Sequence, residues 1–211
     1  MQLFQLPNLP PSVYVAGLIS FIVSVLLVVT KRFHGRFTLD ETFGIQKVHV
    51  TPTPRIGGVA IFIGVAAAWM VASPPKAEIL GVLLVAGLPA FVFGLAEDIT
   101  KQVSVLSRLL ATIGSGLLGW LLTGVSLGRL DIPLLDPLMG YTVVSVVVTA
   151  LAVGGIANAV NIVDGFNGLA SGFVAIASSG IGFAAAAVGD VSLAVACFAM
   201  VAAIIGFWLV N

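Results

Sequence analysis

Charge is scarce in this sequence. Asp, Glu, Lys and Arg make up 9% of its 211 residues, against about 25% in soluble domains. Nine basic residues balance nine acidic ones, and no basic block is present of the kind that would hold nucleic acid. Cysteine is nearly absent: Cys197 stands alone in an apolar run, which excludes an internal disulfide and predicts a buried thiol. The first apolar run, from about Val13 to Thr30, has no basic residue before it and no Ala-x-Ala site after it. It therefore reads as a retained span and not as a signal peptide. A soluble domain, a heptad pattern and an internal repeat are also missing. What is abundant is apolar, at 59% hydrophobic residues, and the composition is that of a membrane protein.

Seven apolar segments approach the length of about 20 residues that a hydrocarbon core of about 30 Å requires. They are residues 12–31, 56–73, 78–96, 105–127, 141–163, 168–188 and 190–210. The predicted fold is all-α: one transmembrane domain over 1–211, a polytopic helical bundle of about seven spans. A Ser73-Pro74-Pro75-Lys76 turn and a short connection at EDITKQ join some of them. With alternating loops, one side collects Lys31, Arg32, Arg36, Lys47, Arg55, Lys101 and Arg108, and the other only Lys76 and Arg129. That bias predicts a cytoplasmic first side and an N-terminus outside.

Against this background the stretch NAVNIVDGFNGLASG, Asn158 to Gly172, stands out because it spends Asn158, Asn161, Asp164 and Asn167 at a spacing of three. Each such step turns a helix by about 300°, so Asn158, Asn161 and Asp164 drift only about 60° apiece and share a face. Asp164-Gly165 and Asn167-Gly168 then read as turn dipeptides. Amides and a carboxylate at membrane depth are expensive unless they line a cavity or an interface. A helix end with asparagine caps is the plainer alternative, but a cap needs one polar residue rather than four in register.

Two further stretches fall on the same predicted side. In KVHVTPTPRIGG, Lys47 to Gly58, the prolines hold the chain extended. Gly57-Gly58 opens a helix whose first amides are free for an anion. Lys47, His49 and Arg55 add positive or donating groups, so the segment reads either as a phosphate site or as an ordinary basic loop. In GLAEDITK, Gly94 to Lys101, the adjacent Glu97 and Asp98 suit a metal or a general base. Lys101 and Arg108 follow within reach of phosphate oxygens. A solvated helix end is the simpler reading of that motif.

Taken in order, HVTPTPRIGG, GLAEDITK and NAVNIVDGFNGLASG resemble the polyprenyl-phosphate N-acetylhexosamine-1-phosphate transferases, over about residues 47 to 172. The resemblance implies transfer of a sugar-1-phosphate from a UDP-N-acetyl-sugar to a polyprenyl (undecaprenyl) phosphate in the bacterial inner membrane. UMP leaves on the cytoplasmic face, Mg²⁺ or Mn²⁺ assists, and a cell-envelope polysaccharide such as O-antigen or teichoic acid is begun. It also implies roles. Asp98 acts on the lipid phosphate with Glu97 beside it, and Asn161 is a metal ligand. Asn158, Asp164 and Asn167 shape the nucleotide pocket, while Lys47, His49 and Lys101 face phosphates. The family's usual Asp-Asp is Glu97-Asp98 here, and the last residue of its DGxDG motif is Asn167. Family members continue past GFWLVN to a metal-binding Asp, so the expectation is a fragment that is inactive alone. Its open polar face would then meet lipid or a second copy, as a homodimer. A non-catalytic membrane protein of the same fold and a transporter are the competing readings. A transporter, however, would put its polar groups near mid-membrane rather than at span ends.

Overall fold

The backbone of a chain in hydrocarbon must satisfy its own N–H and C=O groups, and consecutive apolar residues do so as helix. The computed structural model describes residues 9–32, 56–163 and 168–211. Among them are eight helices: α1 Pro11–Val29, α2 Gly57–Val71, α3 Pro74–Thr100, α4 Val105–Thr123, α5 Asp136–Met139, α6 Thr142–Val163, α7 Leu169–Ala187 and α8 Val191–Trp208. Even TVVSVVVTALAV at the start of α6 is helical, although its β-branched residues disfavour helix in water. The ends carry local signals. Ser104 caps α4 by accepting the Ser107 N–H at 3.1 Å, and Asp190 caps α8 by accepting that of Leu193 at 3.0 Å. Gly124 closes α4 in the left-handed region, at φ 69°.

All seven expected segments are helical, but six of the helices are long and apolar enough to cross a membrane. The exception is α2, whose 15 residues span only about 22 Å. It stops at Val71 and the chain turns extended at Ala72, just ahead of the Ser73-Pro74 step, where helical geometry is disfavoured. Conversely α3 runs for 27 residues, past the expected 78–96 at both ends. Pro74 and Pro75 belong to its first turn, where a missing N–H costs nothing, rather than to a separate turn. At the other end Glu97 to Thr100 remain helical, so the EDITKQ connection shrinks to the residues after Thr100. Cys197 is half-buried against Gly182 rather than fully buried.

Two compact units divide the chain: Met1–Gly81 with Gly168–Asn211, and Val82–Asn167. In the first, α1 packs on α2 and α8, and α7 packs on α8. Apolar surface gains nothing by leaving lipid for protein, so close packing of small residues holds such helices together. Ala16, Ala60, Ala68, Ala199 and Ala203 are completely buried there. A side chain at Gly64 would begin 2.6 Å from the Ala16 carbonyl oxygen, and one at Gly206 would overlap the Gly17 carbonyl. Ser20 donates its hydroxyl to the Ala203 carbonyl at 2.6 Å, tying α1 to α8.

In the second unit α6 lies antiparallel to α4. Gly116 makes room for Ala150 and Val153, and Gly154 for Ile113. The connection between α4 and α6 is pinned by hydroxyls. Ser145 reaches the Leu127 carbonyl and the Ser126 hydroxyl, both at 2.6 Å, and Thr149 accepts the Leu127 N–H at 2.9 Å. Arg129 pairs with Asp131 at 2.6 Å on the exposed rim of that connection.

Gly206 and Gly180 separate packing from helix propensity, because a Cβ at Gly180 meets nothing within 4 Å. Gly206→Ala is expected to destabilise the protein by about 1–3 kcal/mol through overpacking against α1. Gly180→Ala is expected to be neutral or stabilising, by up to about 1 kcal/mol. Thermal unfolding in lipid nanodiscs measures both, and equal midpoints for the two variants would refute the α1–α8 contact.

Candidate functional site

The candidate residues within Val82–Asn167 are brought together by two helix registers. Between α3 and α4, Ala86 lies against Gly119 and the Ala90 N–H reaches Ser115, four residues further along each helix in opposite directions. Carried toward the connection, that register puts Glu97 level with Arg108. Between α4 and α6, Gly116 meets Ala150 and Ile113 meets Gly154. One more turn puts Asn158 level with Leu109, and Asn161 level with the first turn of α4. The C-terminus of α3, the N-terminus of α4 and the C-terminus of α6 therefore share one end of this unit. Glu97, Asp98, Lys101, Arg108, Asn158 and Asn161 all belong to that end.

Gly154 explains how the two amides are presented. It sits on the α6 face that presses on α4, and Asn158 and Asn161 follow on that face at i+4 and i+7. Asn158 is half-buried, and Asn161, beyond the close contact, is exposed. The expected asparagine face is thus present as far as Val163. Asp164 and Asn167 lie outside the described residues, as do Lys47 and His49. Gly168, the second half of the expected Asn167-Gly168 turn, is left-handed at φ 76°.

The α3 end is built with care for its backbone. Glu97 accepts the Val103 N–H through Oε2 at 2.8 Å, which folds the connection back over the helix end. The Lys101 N–H donates to the Glu97 carbonyl at 2.8 Å, and the Thr100 hydroxyl to that of Ala96 at 2.6 Å. Lys101 itself is left-handed, at φ 55°, a conformation that costs a non-glycine residue roughly 1–2 kcal/mol. Such strain collects at functional sites. Glu97 and Asp98, both half-buried, stand at the negative end of the α3 dipole. Two carboxylates there favour a cation close by, and Lys101 and Arg108 are the basic residues at this end. The first turn of α4 offers its positive dipole end to the same region.

Among the described residues no group of three or more His, Cys, Asp or Glu stands together as a metal cage. The arrangement present is two adjacent carboxylates, two amides and two basic side chains. That set suits binding and orienting a phosphorylated, cation-associated ligand more than a covalent step. Sequence reasoning missed the left-handed Lys101, because Thr100-Lys101-Gln102 contains no Gly or Asn to signal it. It also missed the Ser104 cap, which the serine ahead of an apolar run does signal.

Residues 80–211, which include every described candidate residue, match the family model for glycosyl transferase family 4. The chain is 34% identical over 142 residues to a decaprenyl-phosphate N-acetylglucosaminephosphotransferase of Mycobacterium leprae, covering 59% of this chain and 33% of the relative. It is 29% identical over 157 residues to a probable undecaprenyl-phosphate N-acetylglucosaminyl 1-phosphate transferase of Bacillus subtilis, covering 72% and 43%. Similarity to an undecaprenyl-phosphate alpha-N-acetylglucosaminyl 1-phosphate transferase of Yersinia pestis extends over 191 residues at 31% identity, covering 88% and 50%. The chain thus spans about a third to a half of the length of these relatives. No solved structure matches it.

If the connection holds residue 101 left-handed, Lys101→Gly should stabilise the protein relative to Lys101→Ala by about 1 kcal/mol. For a chain of this size that is a rise of about 2–4 °C in unfolding midpoint. A glycine variant less stable than the alanine variant would show that the connection does not impose this conformation.

Proposed function

Because the chain belongs to glycosyl transferase family 4, we propose that it carries the catalytic end of a sugar-1-phosphate transferase. The donor is a UDP-N-acetylhexosamine and the acceptor a polyprenyl phosphate. In the reaction an oxygen of the lipid phosphate bonds to the sugar-bound phosphorus of the donor. The bond from that phosphorus to the bridging oxygen breaks, and UMP leaves with that oxygen. The product is a lipid diphosphate that still carries the sugar. The names of the relatives, which specify decaprenyl or undecaprenyl phosphate and N-acetylglucosamine, support this acceptor class and favour N-acetylglucosamine as the sugar.

The observation that carries the reading is the meeting of the Glu97–Asp98 pair, the Asn158–Asn161 face and two basic residues at one end of a multi-pass unit. A lipid phosphate lies at the leaflet surface, which span ends reach and span centres do not. Both reactants are anions, so the protein's task is positioning and charge compensation. Asp98 orients the attacking phosphate and takes its proton when it is protonated, and Glu97 holds the turn that presents Asp98. Lys101, with Lys47 and His49, faces phosphate oxygens. Asn158, Asp164 and Asn167 shape the nucleotide pocket.

Mg²⁺ suits these donors. It binds through one or two carboxylates together with phosphate oxygens and water, and does not need a cage built wholly of protein. The Glu97–Asp98 pair supplies hard oxygens, Oε2 of Glu97 also accepting the Val103 N–H, and the exposed Asn161 amide adds another oxygen. Mg²⁺, or Mn²⁺ in its place, when bound offsets the charge of the diphosphate. The setting that follows is the bacterial inner membrane, with the active end cytoplasmic and the product starting a cell-envelope polysaccharide.

In the protein as the cell makes it, Asp98→Asn is expected to lower UMP release from UDP-N-acetylglucosamine by at least about 100-fold, the usual scale for loss of a proton-transfer group, with KM for the donor little changed. Asn167→Ala should mainly raise that KM, because a pocket amide binds ground and transition states alike. Turnover by Asp98→Asn equal to that of the unaltered protein would contradict the assignment.

A further inference from the structure

Pro89 lies inside α3, with eight residues of helix between it and Asp98. A proline there has no N–H to give, and its ring crowds the carbonyl four residues earlier, that of Val85. The helical ladder is weakened at this point, in a hydrocarbon setting where an orphaned backbone group costs several kcal/mol. At this weak point α4 adds a tie: the N–H of the next residue, Ala90, donates to the Ser115 hydroxyl at 3.1 Å. Ser115 is 7% exposed and precedes Gly116, against whose backbone Ala150 of α6 is seated. The acceptor is therefore fixed by the close contact between α4 and α6.

Beyond the proline α3 is shallowly packed. Val92, Phe93 and Ile99 are all exposed, and of the whole 27-residue helix only Leu80 is fully buried. From Pro89 to Asp98 the arm is about 13 Å, so a tilt of about 5° at the proline moves the carboxylates by about 1 Å. A misplacement of that size can cost about 100-fold in rate.

We propose that Ser115 is a positioning residue for the transferase reaction: by holding the Ala90 N–H beside Pro89 it sets the tilt of the outer half of α3, and with it the place of Glu97 and Asp98. The assignment rests on the reading given under Proposed function. Ser115 touches no substrate and acts through the helix that bears the carboxylates.

Nitroxide labels on Ile99→Cys and Ile156→Cys, both exposed, in a Cys197→Ala background report the α3 end against α6 without requiring activity. Ser115→Ala is expected to shift and broaden the distance distribution measured by pulsed electron paramagnetic resonance. In unlabelled protein it should lower kcat by about 10- to 100-fold with KM for the UDP-sugar unchanged. In a Pro89→Ala background, where the helix recovers its own ladder, Ser115→Ala should add no further shift. An unaltered distribution in Ser115→Ala, a further shift in the Pro89→Ala background, or a shift with full turnover would each overturn the proposal. Absence of UMP release from the protein as the cell makes it would instead remove the transferase reading and the catalytic purpose of the tie. The distance series would still decide whether Ser115 sets the tilt.

Discussion

Inside a hydrocarbon slab a polar group has no water to fall back on, and each one must find its partner within the protein. The architecture follows from that requirement. Apolar runs become helices, and several of the hydroxyls they contain are spent where a backbone group needs help. Ser20 meets the Ala203 carbonyl, Ser115 the Ala90 N–H and Ser145 the Leu127 carbonyl. Glycine and alanine do the remaining work of contact. Gly64, Gly116, Gly154 and Gly206 each let another helix approach to distances that a side chain would forbid. The charged groups among the described residues lie at the helix ends or in the connections.

One end of Val82–Asn167 therefore concentrates the chemistry. The same antiparallel registers that pack α3, α4 and α6 also deliver two carboxylates, two basic side chains and two amides to a common edge. The helix dipoles sharpen the contrast: the carboxylates sit at a negative helix end, and α4 brings a positive one. A ligand that carries both phosphate and a divalent cation answers both signs at once. The proposed reaction, in which two anionic phosphates are brought together, has that character.

Much of this was legible in the residues. Hydrophobicity located every helix now seen at spanning length, and the spacing of Asn158 and Asn161 correctly placed them on one face of α6. The gathering of Glu97–Asp98 with that face followed from loop alternation alone. Other features were illegible for physical reasons. Apolar residues encircle these helices, so no stripe reveals which face turns inward, and the pairings of Gly116 with Ala150 and of Gly154 with Ile113 depend on partners more than thirty residues away. Helix ends depended on local chemistry that hydrophobicity ignores. The Ser73-Pro74 step shortened α2, while the charged run Glu97 to Thr100 stayed helical because its backbone bonds are local. Nothing in Thr100-Lys101-Gln102 announces a left-handed residue, since the demand comes from the fold of the connection around Glu97.

The central claim is that the acidic end of α3 and the asparagine end of α6 share one membrane face, opposite the connection between α4 and α6, and the proposed function makes that face the cytoplasmic one. Labelling by a membrane-impermeant thiol reagent tests it in sealed right-side-out vesicles, using single cysteines in a Cys197→Ala background. Lys101→Cys and Asn161→Cys should both stay protected until the vesicles are opened, while Leu134→Cys, on an 84% exposed residue of that connection, should react at once. Different protection of Lys101→Cys and Asn161→Cys, or protection of Leu134→Cys together with them, would contradict the account.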